Sequence, residues 1–206
     1  LYGEEYHHRW NARPEEYDAL DRAQQIGEKA VQLDAVSQVA HGCMALTLFM
    51  RGDYDRATLE AQRAVDLNPR NALWQGLMGL YLCQLGDSER GLPMVREAIQ
   101  LSPHPPAWMH MATFYDHFLN GRYNEALGEA RLLDAAGDFR IPLFLAASYG
   151  QLGLVDEAAP ALAEFKTLWS MPLEDLRTEV IQRHASAPDL SDRLLEGFAK
   201  AGLEGL

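Results

Sequence analysis

The chain has 206 residues, of which 48% are hydrophobic, and its formal net charge is −12. A chain of this length and composition can bury a substantial core. The excess of acidic residues disfavours nucleic acid and anionic membranes as partners, because phosphate groups are bound mainly through Lys and Arg. No apolar run reaches the roughly 18 residues that a membrane-spanning helix needs, so we expect no membrane insertion.

One six-residue phrase recurs four times along the chain. Its copies begin at Gly52, Gly86, Gly121 and Gly153, so successive copies are 34, 35 and 32 residues apart. A period near 34 predicts pairs of helices joined by a short turn. Each glycine is expected to end a first helix, and the acidic residue that follows it is expected to lie in the first turn of a second helix.

The predicted helices follow this period in chain order. The first is predicted over 15–33, as the second helix of a leading repeat whose first helix lies within 3–12. Pairs are then predicted at 38–50 with 54–67, 72–85 with 89–101, 107–119 with 123–136, and 141–151 with 155–169. Pro160 is expected to kink or shorten the helix that contains it. Two further helices, near 173–184 and 189–201, are expected to cap the array.

Small residues and prolines agree in register between the copies. Ala45 aligns with Gly79, Ala57 with Gly91, Ala64 with Ala98, and Pro69 with Pro103. This pattern resembles the tetratricopeptide repeat. The resemblance implies an all-α, right-handed superhelical solenoid of helix-turn-helix repeats over 1–172, about four to five in number, with C-terminal capping helices over 173–206.

The resemblance also implies a groove lined by the first helix of each repeat. The principal groove residues are Leu46, Phe49, Met50, Leu73, Leu80, Trp108, Met111, Tyr115 and Phe118. The same family positions include Val39, Gln84, Leu143, Ala147, Gly150 and Gln151. Family members that clamp a chaperone C-terminus carry Lys, Asn and Arg there, so that partner is not expected.

An apolar strip of this kind fits an amphipathic helix, an extended apolar segment or a second copy of the chain. The alternative is that a neighbouring repeat or the chain's own ends bury part of the strip.

No motif in the sequence indicates catalysis, a cofactor or a metal. The chain lacks a Gly-rich phosphate loop, a nucleophile elbow, a Cys-x-x-Cys pair and a His-Glu-x-x-His motif. His41 and His110 are expected to be packing or surface residues and not metal ligands. Cys43 and Cys83 lie in apolar helical stretches, where reduced, packed thiols are expected in preference to a disulfide. We therefore predict that this segment is not an enzyme.

The closing residues carry a second, shorter resemblance. The segment 189–203 is similar to the end of the repeat regions found in bacterial class III nucleotide cyclases and in some winged-helix regulators. The chain begins without Met, inside a predicted repeat, and from this we predict a piece of a longer protein. Its opening residues lack the features of a signal peptide, which predicts a cytoplasmic location.

Two functions follow from these patterns. The first is a non-catalytic scaffold that binds a protein or peptide in an apolar groove. The second is a regulatory or dimerising arm of a multidomain cyclase or transcription regulator, in which the chain would form a homodimer.

Overall fold

The computed structural model describes residues 17–183 and 187–203. Over these ranges the structure is helical and contains no strand, which confirms the predicted all-α class. The first helix predicted for the leading repeat, within 3–12, lies outside the described residues.

The helices follow one another with short connections. We number them α1 (Tyr17–Leu33), α2 (Gln38–Arg51), α3 (Tyr54–Leu67), α4 (Ala72–Gln84), α5 (Ser88–Leu101), α6 (His110–Leu119), α7 (Tyr123–Ala130), α8 (Arg140–Leu152), α9 (Val155–Leu168), α10 (Leu176–Arg183) and α11 (Pro188–Lys200). Short 3-10 turns at Ala107–Met109 and Leu173–Asp175 precede α6 and α10. The predicted boundaries agree closely with these, except at α7.

Two compact units make up the structure, unit 1 up to Met78 and unit 2 from Gly79, and the division falls within α4. In unit 1, α2 packs against α1 and α3. In unit 2, α6 packs on α7, α7 on α8, and α8 on α9. Most helices thus pack against their neighbours in sequence. The exception is α11, which packs extensively on α8 and also reaches α6.

The glycine that opens each recurring phrase has a left-handed backbone. The φ angles of Gly52, Gly86, Gly121 and Gly153 are 80°, 87°, 71° and 73°. This conformation, which glycine adopts without steric cost, ends the first helix of each pair. At the first of these turns, for example, the N–H of Asp53 donates to the carbonyl of Leu48 at 3.0 Å.

Acidic side chains begin the second helices. The carboxylates of Asp53 and Asp87 accept from the N–H groups three residues later, at 3.4 and 3.2 Å, and so cap α3 and α5. The predicted first-turn acids are also present, as Asp55, Glu89, Glu125 and Asp156. Their charges complement the positive end of each helix dipole, so the recurring acids have a structural explanation.

Two predicted elements differ from the structure. Helix α7 ends at Ala130 and not near 136, because the N–H groups of Leu132 and Leu133, which follow Arg131, donate three residues back and tighten the chain into a turn. That turn places Leu133 in the core. The predicted shortening at Pro160 is wrong, since α9 runs over 14 residues, and the kink predicted as its alternative stays a prediction. Pro160 is the sixth residue of α9, so its ring removes one main-chain hydrogen bond, to the carbonyl of Asp156, and the helix continues past it.

Ala64 provides a test of the packing of α3. It is 1% exposed and lies in unit 1, where α3 packs on α2. Replacing Ala64 with Leu should overpack this junction at a cost of roughly 1–3 kcal/mol and lower the melting temperature. The control is Arg63→Leu, the same new side chain at an exposed neighbouring position, which should melt almost as the parent does. Equal melting of the two variants would contradict this packing.

Candidate functional site

Six of the nine principal groove residues are buried by the chain itself. These are Leu46, Phe49, Leu80, Met111, Tyr115 and Phe118. Met50 and Trp108 are half-buried, and Leu73 is 48% exposed. The six buried residues cannot touch a partner while the chain keeps this arrangement. A role for the nine residues in binding stays a prediction, but the expected exposed strip is present only in part.

An aromatic cluster explains the burial of the third-repeat residues. The ring of Tyr115 lies edge-on to Phe144 with centroids 5.6 Å apart, and Phe114 stacks on Phe144 at 4.4 Å. Phe118 completes the cluster, since its ring centroid lies 5.4 Å from that of Phe114. Because such ring contacts add to the free energy of burial, this cluster serves as the core between α6 and α8.

Helix α11 and the residue before it contact three helices of unit 2. At its start, the N–H of Ala187 donates to the carbonyl of Gln84, at the end of α4, at 2.9 Å. It then packs against α6 and lies along the last two turns of α8. We call the covered surface, formed by Gln84, Ala147, Gly150 and Gln151 with their neighbours on α6, the α11-binding face.

The closest approach of α11 to α8 is between two glycines. A Cβ atom added to Gly150 would overlap the main-chain oxygen of Gly197, and one added to Gly197 would overlap the main-chain oxygen of Ala147. Both overlaps are with backbone atoms, which cannot rotate away as a side chain can. The two helices therefore cross at backbone contact, which requires glycine at both positions.

Apolar side chains surround this crossing. Leu190, Leu194 and Phe198 of α11 are fully buried, at successive spacings of four residues. The ring of Phe198 lies edge-on to Phe165 of α9, with centroids 4.7 Å apart. Helix α11 thus presents an apolar face to unit 2 and a charged face to solvent.

Polar contacts at the rim of the face are few and exposed. Gln151 donates to the carbonyl of Arg193 at 3.0 Å and accepts from Lys200 at 2.9 Å. Hydrogen bonds from Lys200 and Gln151 lower the pKa of the Glu196 carboxyl. Arg177 of α10 pairs with Asp192 at 2.6 Å, and both side chains are largely in solvent. Exposed pairs of this kind contribute little to stability, so apolar burial and the glycine crossing hold α11 in place.

Unit 1 retains exposed apolar groove positions. Val39 is 61% exposed, in the first turn of α2, and Leu73 occupies the matching position of α4. A hydrogen bond of 2.8 Å from Asn71 to Gln38 joins the beginnings of these two helices. The two apolar side chains therefore lie at the same end of unit 1, where a partner can reach them.

Sequence analysis missed a recurring histidine–glutamate pair. The Nδ1 atoms of His41 and His110 lie 2.6 and 2.7 Å from carboxylate oxygens of Glu60 and Glu129, respectively. Each glutamate follows its histidine by 19 residues, so the pair joins the two helices of one repeat. The same spacing of 19 residues occurs at matching positions of two copies, and this recurrence is the sequence pattern from which the pair could have been predicted.

In the described ranges, no group of three or more His, Cys, Asp and Glu side chains is arranged to hold a metal ion.

Both cysteines are free thiols. Burial raises the pKa of the Cys83 thiol from 9.0 to about 12 and also raises that of Cys43, which is less enclosed. A buried thiolate loses its hydration, so the neutral thiol is favoured. These sulfur atoms are therefore poor nucleophiles near neutral pH.

Comparison with known proteins does not place the chain in a family, because no family model and no curated protein matches its sequence. None of the described helices has the length and apolar character required to cross a membrane.

A substitution of Tyr115 tests whether this side chain belongs to the core or to a binding surface. Tyr115→Ala should destabilise the protein by about 3–5 kcal/mol, as other large-to-small aromatic changes in cores do. The same change at the half-buried Tyr149 should cost clearly less. Denaturant titration of both variants provides the comparison, and an equal or smaller loss at Tyr115 would contradict its burial.

Thiol reactivity tests the environment of the cysteines. At pH 8 the native chain should react slowly with iodoacetamide, with Cys43 modified before Cys83, and both should react rapidly in denaturant. Because folding raises these pKa values, the contribution of the neutral thiols to the free energy of unfolding is fully present below pH 9.0. It is lost as the pH rises towards 12. Mass spectrometry of the modified peptides gives the order. Faster modification of Cys83 than of Cys43 would contradict this account.

Proposed function

We propose that the chain is a non-catalytic protein-interaction module of the tetratricopeptide type, which binds a helical segment of another protein. The recurring phrase, the small residues shared between copies and the helix pairs joined by left-handed glycines support the repeat assignment. The single observation that carries the function is the position of α11.

Helix α11 is an amphipathic helix lying on residues that occupy groove positions in the proposed repeats. Gln84, Ala147, Gly150 and Gln151 all belong to this set. The last three contact α11, and Gln84 accepts a hydrogen bond from Ala187, the residue before α11. A surface that holds one amphipathic helix by apolar burial has the chemistry to hold another. A binding role accounts for this surface without any catalytic group.

The accessible part of the proposed groove is in unit 1. Val39 and Leu73 are exposed apolar side chains at matching repeat positions. Exposed apolar residues that share one end of a unit are suited to an apolar partner segment. We therefore assign the first contacts with a partner to this end of unit 1.

Leu73→Asp tests this function. A carboxylate there should repel an apolar partner and weaken binding by more than about tenfold, or 1.4 kcal/mol. The fold should survive, because an acid in the first turn complements the dipole of α4. Partners are captured on the immobilised full chain from extracts of cells that contain it, and each retained protein is then titrated against purified variants.

Leu59→Asp is the matched control, since Leu59 is 71% exposed on α3, outside the groove positions. A partner held by the parent and by Leu59→Asp, but released by Leu73→Asp, supports the proposal. Capture of no protein, or equal binding by all three chains, would contradict it. Sedimentation of the same variants shows whether a second copy of the chain is the partner.

A further inference from the structure

We propose that α11 is an internal ligand, and that the α11-binding face accepts a partner helix of the same chemistry in its place. This inference rests on the proposed function and names the class of partner. The partner is an amphipathic helix with glycine where it crosses α8. Helix α11 competes with it for the same face.

The glycine crossing sets the first requirement. Because a Cβ at residue 197 would overlap the oxygen of Ala147, any occupant of this face needs glycine at the crossing point. The face itself cannot relax around a larger residue, since the obstructing atom belongs to the backbone of α8. This requirement selects against most amphipathic helices and so gives the face specificity.

The apolar contacts set the second requirement. The buried apolar side chains around the crossing are Leu190, Leu194, Leu195 and Phe198 of α11 and Ala201, the residue after it. Relative to the crossing glycine, an occupant therefore needs leucine seven, three and two residues before it, an aromatic residue directly after it and a small residue four after it. Helical anchors spaced in this way are a common means of recognition in grooves.

The remaining contacts allow exchange. Hydrogen bonds join Ala187, the residue before α11, to Gln84 of α4, and join Arg193, Glu196 and Lys200 of α11 to Gln151 of α8, and those with Gln151 are exposed. A tethered helix competes at an effective concentration in the millimolar range. A partner helix thus displaces α11 by improving on the same contacts, and the face stays closed to weaker helices.

Two Gly→Ala variants of the full chain distinguish obstruction of α11 from obstruction of the α11-binding face. Gly197→Ala obstructs α11 and leaves the face intact, whereas Gly150→Ala obstructs the face. The probe is a fluorescent peptide of residues 187–203, and fluorescence anisotropy measures its binding. We expect Gly197→Ala to bind the peptide more than about tenfold tighter than the parent, because the internal competitor is weakened. Gly150→Ala should not gain binding.

Two controls test whether the change in peptide binding depends on the glycine crossing. Gly128→Ala adds the same atom to α7 where nothing lies within 4 Å, so it should bind the peptide as the parent does and melt at the same or a slightly higher temperature, because alanine favours the helix. A probe peptide carrying the Gly197→Ala change should not bind any of the chains. The peptide binding equally to Gly197→Ala and Gly150→Ala, or to neither, would overturn the inference.

Loss of cooperative melting in Gly197→Ala would overturn the inference as well, because α11 would then be an inseparable part of the core. The Leu73→Asp experiment concerns unit 1 alone. Failure of the peptide exchange therefore leaves the proposed partner contacts on unit 1 standing, so failure of the inference and failure of the proposed function are distinguishable.

Discussion

Backbone contact between α8 and α11 at Gly150 and Gly197 is the constraint on which unit 2 depends. Glycine in a helix costs roughly 0.5–1 kcal/mol relative to alanine, so two glycines at one crossing lower the intrinsic stability of both helices. The approach they permit buries Leu190, Leu194 and Phe198 fully. Burial of each such side chain contributes about 1.5–3 kcal/mol, which exceeds the cost of the glycines.

The position of α11 divides the predicted groove residues of unit 2 into two sets. In unit 2 the groove residues form two layers, of which the deeper one, with Tyr115 and Phe118, is the permanent core between helices. The upper layer, Ala147, Gly150 and Gln151, meets α11. The proposed exchange of ligands therefore concerns the upper layer alone, because opening the deeper layer would expose the aromatic cluster.

Helix boundaries could be predicted from local signals. Gly52, Gly86 and their counterparts permit the left-handed backbone that ends a helix, and the acids that follow act on the nearest helix end. Such information lies within a few residues, so the spacing of the copies was enough. The turn after Ala130 escaped prediction because Leu133 is drawn into the core by tertiary packing, which propensity does not report.

The docking of α11 could be predicted only in part. The spacing of Leu190, Leu194 and Phe198 indicated an apolar face but not the surface that covers it. Gly150 and Gly197 are 47 residues apart and carry no side chain, so nothing in the sequence indicated that they are in contact. In the same way, exposure at groove positions could not be deduced from residue type. Leucine is exposed at Leu73 and buried at Leu46.

Nuclear Overhauser spectroscopy of the full chain tests the central claim most directly, through the Hα protons of Gly150 and Gly197. If the two helices meet at backbone contact, these protons should give a direct cross-peak, accompanied by cross-peaks from Gly197 to Ala147. A folded, fully assigned chain in which α11 is helical but Gly197 shows no cross-peak to α8 would contradict the account.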